Sequence, residues 1–439
     1  MIPKVGCVIY EKPESRILKN RFLRDFIRPD YEGYCLSNIM PTVAQSLGSG
    51  YVHAGLPGDI RSRSGIGEDV DTVLFFLVDG FGYKSWTDAH REPFVDAVNR
   101  NGFVCPLTSV FPSTTAAALT TVSTGLLPSE HLLAEWNIYM EKVDSIIETL
   151  PFRKLGAEQP DALAGEISGS RLFMGRPFSK LFAEEGIDSY ALLKSAVCKS
   201  VYSKRLFEGA NIMPHSSLGE MLANIEEGMR KARGKSYFYI YWSGIDDAEH
   251  KYGPSSVQAK NEIALFSFAM RRLVERTDMR YARKTRIVIT ADHGQIDVDP
   301  SRVIYLNGKK KLESAFRLKK DGARLSPAGS PRDMFLYIKE DMKEGTIDSL
   351  RSELGKDAEF VDMDYAIREG LFGSKKPETE FRTRVGDVLV LPRRNNMIWY
   401  MHKENGMRKV SFRGHHGGMS KEEMLIPLAV ANMGDLKSG

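Results

Sequence analysis

Three aspartates in this chain follow apolar runs that read as buried strands, and each has a glycine or histidine close behind it. Asp79 falls in FLVDGFG, Asp246 in GIDDAEHKYGP and Asp292 in TADHG. His250 lies four residues after Asp246, and His293 directly follows Asp292. A further pair, His415 and His416, sits in GHHGG shortly before the last apolar run, so four of the nine histidines fall in such segments. Ligands of open α/β sheets gather beyond the carboxyl ends of the strands, where these side chains would converge. Carboxylates crowded into one crevice repel and raise one another's pKa unless cations lie between them. Aspartate mixed with imidazole suits zinc, and manganese is compatible. Taken singly, a strand-end aspartate is usually a turn former or cap, and Asp247 is either the ligand in place of Asp246 or a solvated neighbour. Four segments of the same character together point to a metal site.

A metal site of this kind can activate an alcohol, because a bound cation lowers the pKa of a hydroxyl as it does that of water. The stretch Val110–His131, VFPSTTAAALTTVSTGLLPSEH, places hydroxyl residues just before a small-residue helix expected over Ala116–Ser123. A hydroxyl there faces the positive end of the helix dipole. The plainer role for Ser113 or Thr114 is an N-cap.

The elements that must hold these residues are short runs rich in β-branched and aromatic side chains. They are Thr72–Val78, Ser236–Trp242, Thr285–Thr290 and Ile426–Ala431, each reading as a strand buried on both faces. Helical spacing appears between them at Leu218–Ala232 and Gln258–Arg276. The alternation predicts an α/β fold with a mostly parallel central sheet covered by helices on both faces. Residues from about 140 to 215 read as an irregular insertion. A smaller inserted α+β cap is expected over 297–410, around Met334–Ile338, Thr346–Leu354 and Asp387–Leu391, leaving 1–296 and 411–439 as the catalytic core.

Composition excludes several classes. With 42% hydrophobic and 27% charged residues the chain can bury a sizeable core. A net charge of +4, from 61 basic and 57 acidic residues, is too even for a nucleic-acid duplex partner, and Lys309–Lys311 reads as a solvated turn. Cys7, Cys35, Cys105 and Cys198 form no CxxC pair and read as separate thiols. No apolar run approaches the ~18 residues of a membrane span, and the start lacks the pattern of a signal peptide. No membrane partner and cytoplasmic residence are therefore expected.

In order and spacing these motifs resemble the alkaline phosphatase superfamily, and within it the nucleotide pyrophosphatase/phosphodiesterase family. The resemblance rests on Asp79-Gly-Phe, a threonine ahead of Thr124-Gly-Leu-Leu-Pro, Asp246 to His250 with Tyr252-Gly-Pro254, Asp292-His293-Gly and Gly414-His415-His416-Gly. It spans about 70–300 and 412–432. It implies two divalent cations, one held by Asp79, Asp292 and His293, the other by Asp246, His250 and His416. It selects Thr115, nine residues before Thr124, as metal-bound nucleophile, with Thr114 as second choice. The mechanism it implies is a two-step displacement through a phospho-threonine. Asn137 lies near the family's phosphate-contacting asparagine, displaced by one residue. Tyr241 holds the place of a base-stacking tyrosine, but its family partner is replaced by Ala116. A small-molecule phosphate ester, a nucleotide-type diester first, is the implied substrate. Sulfatases need a CxPxR-like segment absent here, and monoester phosphatases and phosphoglycerate mutases use serine. A phosphonate hydrolase remains the enzymatic rival, and a metal-retaining binding module the non-enzymatic one. Nothing in the sequence reports the oligomeric state.

Overall fold

The computed structural model describes residues 9–438; Cys7 lies outside them. Seven strands form the central sheet: β1 (Thr72–Val78), β2 (Phe103–Thr108), β3 (Asp188–Lys194), β4 (Asn211–His215), β5 (Ser236–Trp242), β6 (Thr285–Thr290) and β7 (Leu425–Asn432). Their order is β2-β7-β6-β1-β5-β3-β4. β1 pairs in parallel with β5 and β6, and β3 in parallel with β5 and β4. β7 runs against both its neighbours. The fold is α/β with a mostly parallel sheet flanked by helices. β1 sits at its middle, and six of its seven residues are buried, as a strand covered on both faces requires.

The expected strands and helices stand within three residues of their bounds, for instance helices Leu218–Lys231, Val257–Arg276 and Lys343–Leu354. The stretch from 140 to 215 differs from expectation, since β3 and β4 add two strands of the central sheet to it. β4, NIMPH, is an edge strand with one buried residue of five, so no apolar run announces it. β2 carries no clear strand signal in the sequence, because Pro106 interrupts FVCPLT. That proline faces Pro427 across the antiparallel pair, so both strands lack a ladder donor at the same position.

Between β6 and β7 lies a second, antiparallel sheet of four strands, in the order Ala328–Ser330, Asp333–Leu336, Val388–Pro392 and Ala358–Asp362. Its side chains alternate as the strand period demands. Met334, Leu336, Val388 and Val390 join Phe316, Leu350 and Phe360 in a core of their own. Phe335, Tyr337, Leu389 and Leu391 point the other way, into the main core. The Lys309–Lys311 run enters a short helix, Lys310–Ala315. Cys35, Cys105 and Cys198 are buried free thiols. Among the described residues no helix is long and apolar enough to cross a membrane.

Candidate metal centre

The register of the central sheet brings the three aspartates to one edge. Val78 lies opposite Trp242, and Leu77 opposite Thr290, so the chain leaves β1, β5 and β6 side by side. Asp79 follows β1 at once and Asp292 stands two residues past β6. Asp246 is not at a strand end: it lies in the first turn of helix Gly244–Tyr252, which begins just beyond β5. That helix puts His250 one turn below on the same face, with Nε2 3.5 Å from Asp246 Oδ2.

Two groups form. Ligand-capable atoms of Asp79, Asp292 and His293 lie within 4.8 Å of one another, and so do those of Asp246, His250 and His416. His293 Nε2 is 3.5 Å from Asp79 Oδ1 and 3.4 Å from Asp292 Oδ2. The rings of His293 and His416 stack with centroids 3.5 Å apart and planes at 11°, which sets the groups side by side. Close approach of the backbone is built in at Gly80, whose φ is +73° and whose Cβ would stand 3.1 Å from Asp246 Cα. It is also built in at Gly417, with φ +113°.

The donor set fits divalent cations. Asp79 Oδ1 and Asp292 Oδ2 are buried without a hydrogen-bond partner, an arrangement that costs free energy unless a positive charge compensates it. His250 Nδ1 meets the carbonyl of Gly414 at 2.9 Å and His416 Nδ1 that of Ser113 at 3.0 Å. A carbonyl only accepts, so each Nδ1 carries the proton, and in the neutral rings each Nε2 is a bare lone pair. Those two Nε2 atoms face each other at 3.2 Å, which suits a shared cation, and a carbonyl on Nδ1 is the usual backing of a ligating histidine.

The electrostatics agree. Burial, then Asp246 and Asp292, pushes the Asp79 carboxyl well above the usual carboxylate range. Burial also raises Asp246, with His250 opposing. His416 is held well below the ordinary imidazole value by burial and then by His293, His250 and His415. His415, brought down to about 3 mainly by burial, accepts the His416 N–H on its own Nδ1 and lies outside both groups.

Thr115 opens helix Thr115–Thr124, with Thr114 in the extended N-cap conformation. From Phe111 to Thr124 it is the one half-exposed residue, and its Oγ1 stands 3.2 Å from His293 Nε2. Its rivals are engaged elsewhere. Ser113 Oγ donates to the Gly418 carbonyl, and the Thr114 side chain is hydrogen-bonded to Glu135. Asp247 pairs with Lys194 at 2.6 Å and is solvated, which leaves the inward position to Asp246. Tyr241 directs its hydroxyl onto Asp79 Oδ2. Asn137, the first residue of strand Asn137–Met140, donates to the Gly329 carbonyl at 3.3 Å and keeps a buried Oδ1 without a partner.

Three buried polar residues beside these segments have little or no signal in the sequence. Glu135 is buried, accepts from the Trp136 N–H and is pushed up to about 7 by burial. Asp333, fully buried, is raised by burial and by Glu135. Gln295, directly after DHG, donates to Asp246 Oδ1 at 2.5 Å. Only the last had any signal, its place beside a ligand motif.

A mostly parallel sheet with two Asp/His groups and a helix-start threonine beyond one edge defines a chain of the alkaline phosphatase-like fold. The family model described as Type I phosphodiesterase / nucleotide pyrophosphatase matches residues 73–419, and the chain belongs to that family. The rat (Rattus norvegicus) ectonucleotide pyrophosphatase/phosphodiesterase family member 3 is 22% identical over 288 residues. That match covers 63% of this chain, which spans 31% of the relative's length. The solved structure of murine ectonucleotide pyrophosphatase/phosphodiesterase 5 is similar with a TM-score of 0.60 and 17% identity, covering 84% of this chain and 93% of that one. The human form gives 0.61 and 17%, covering 83% and 92%. An inactive threonine-to-alanine variant of the murine protein has been solved in complex with AMP.

Proposed function

We propose that this chain is a phosphodiesterase that uses two divalent cations, zinc first and manganese as alternative, and hydrolyses nucleotide-type esters through a phospho-threonine on Thr115. The observation that carries the reading is the Thr115 hydroxyl, half-exposed at a helix start and 3.2 Å from His293, a member of one of two neighbouring Asp/His groups. Asp79, Asp292 and His293 would hold one cation, and Asp246, His250 and His416 the other. Cations bound there neutralise charge on the phosphoryl oxygens and ease ionisation of the alcohol. Thr115 Oγ1 forms the new bond to phosphorus as the ester bond opposite it breaks, and water then cleaves the phospho-threonine. The N-terminus of helix Thr115–Thr124 faces the phosphoryl group with its free amides. A nucleotide substrate is supported by the family and by the AMP complex of the murine relative. Tyr241 has its hydroxyl committed to Asp79, so base stacking would use its ring alone.

The test is hydrolysis of bis-p-nitrophenyl phosphate with and without a chelator, beside p-nitrophenyl phosphate and phosphonoacetate. The diester should be preferred, activity should vanish on chelation and return with zinc, and Thr115→Ala should lose at least 10³-fold in kcat, the order expected for removing a nucleophile. A strong preference for the monoester or the phosphonate, or full activity in Thr115→Ala, would refute the reading.

A further inference from the structure

The three buried aspartates share one arrangement: a protein donor ties one carboxylate oxygen and the other faces the site. Asp79 Oδ2 takes the Tyr241 hydroxyl, leaving Oδ1 bare. Asp292 Oδ1 takes the Gly80 and His293 amides at 3.2 and 3.0 Å, leaving Oδ2 bare. Asp246 Oδ1 takes the Gln295 amide at 2.5 Å, leaving Oδ2 turned toward His250.

We infer that Gln295 is a positioning residue for the second cation: it holds Asp246 so that Oδ2 alone is offered as ligand. The inference rests on the two-cation reading above. Gln295 is 6% exposed, so water cannot substitute freely for its amide. Its backbone is anchored by the next two residues, because Ile296–Asp297 pairs with Gly414–His415. The Gly414 carbonyl in turn holds His250 Nδ1 at 2.9 Å. Gly414 also leaves the room the glutamine needs, since a Cβ there would come within 2.6 Å of Gln295 Oε1. One short segment thus follows the Asp292–His293 ligands and orients both helix-borne ligands of the other group.

The residue type matters as much as its place. An amide donates to the carboxylate without cancelling its charge, so Asp246 remains a full anion for a cation to neutralise. An arginine or lysine at 295 would satisfy Oδ1 equally well and leave less charge for the cation. Without any donor, Asp246 is free to rotate and its Oδ1 becomes a buried acceptor with no partner.

Zinc uptake by metal-free protein, measured in competition with a chromophoric chelator, tests this directly. The variants are Gln295→Met, which keeps the volume and removes the donor, and Gln295→Asn, which keeps the amide but falls short of Asp246. The wild type should take up two equivalents. In both variants one equivalent should weaken 10–100-fold, the usual effect of losing a group that orients a ligand. The other equivalent, and the melting temperature of the metal-free protein, should stay as in the wild type. Unchanged affinity at both sites in either variant overturns the assignment, as does equal weakening of both sites with a lower metal-free melting temperature. Failure of the wild type to bind zinc overturns the two-cation reading instead.

Discussion

Replacing Asp79 by asparagine should move stability in opposite directions with and without metal. Asp79 is 2% exposed, and its Oδ1 has no partner in the protein. In the metal-free state its carboxyl is raised by burial and by Asp246 and Asp292. A raised folded-state pKa means that this group's stability contribution is complete below the ordinary carboxyl pKa and is lost as pH rises through the raised value. At pH 8, well above the ordinary carboxyl pKa, keeping this carboxyl buried therefore costs the metal-free wild type stability. Asparagine removes the titrating group and keeps an oxygen for the Tyr241 hydroxyl, so the metal-free variant should melt higher than the wild type. With metal the order reverses. A cation present at 1,000 times its Kd stabilises by about 4 kcal/mol per site. For 439 residues the unfolding entropy is about 0.9 kcal/mol per degree, so each site is worth roughly 4–5 °C. Chelation should lower the wild-type melting temperature by about 9 °C from both sites, and Asp79→Asn should lose about half of that response. Calorimetric scans of both proteins with zinc and with chelator measure this. A variant that melts below the wild type by the same margin in both conditions would refute the argument, because it would make Asp79 a purely structural residue. So would a wild type indifferent to chelation.

Two further outcomes follow from the same electrostatics. Tyr241→Phe keeps the ring and removes the donor to Asp79, so zinc affinity at one site should fall about tenfold; if zinc uptake is unchanged while KM for aryl and nucleoside esters rises, Tyr241 acts on substrate instead. Glu135, pushed up to about 7 by burial, contributes stability that is complete below about pH 4.5 and lost as pH rises through about 7. Glu135→Gln should flatten the pH dependence of urea unfolding and gain on the order of 3 kcal/mol at pH 8, whereas parallel curves for the two proteins would place the titration elsewhere.

Much of this arrangement is local in origin and so was legible in the chain. TVLFFLV and TRIVIT are long enough in apolar residues to be buried strands, and neighbouring parallel strands necessarily end at one edge. Asp79 and Asp292 are therefore neighbours as a matter of register. The four-residue spacing of Asp246 and His250 becomes one face as soon as the segment is helical. Other features had no local signal. β4 is polar because it lies at an edge, and only pairing with β3 makes it a strand. Whether Asp246 or Asp247 turns inward depends on the rotation of its helix against the sheet, which packing sets. The exposure that separates Thr115 from Ser113 and Thr114 depends on Glu135, Gly417 and Gly418, two of them some 300 residues away in sequence. Glu135 and Asp333 became visible only through burial, since a polar side chain acquires its chemical character from what replaces water around it. Residue type and spacing determined which groups could meet; the packing of distant segments decided which atom of each faces the site.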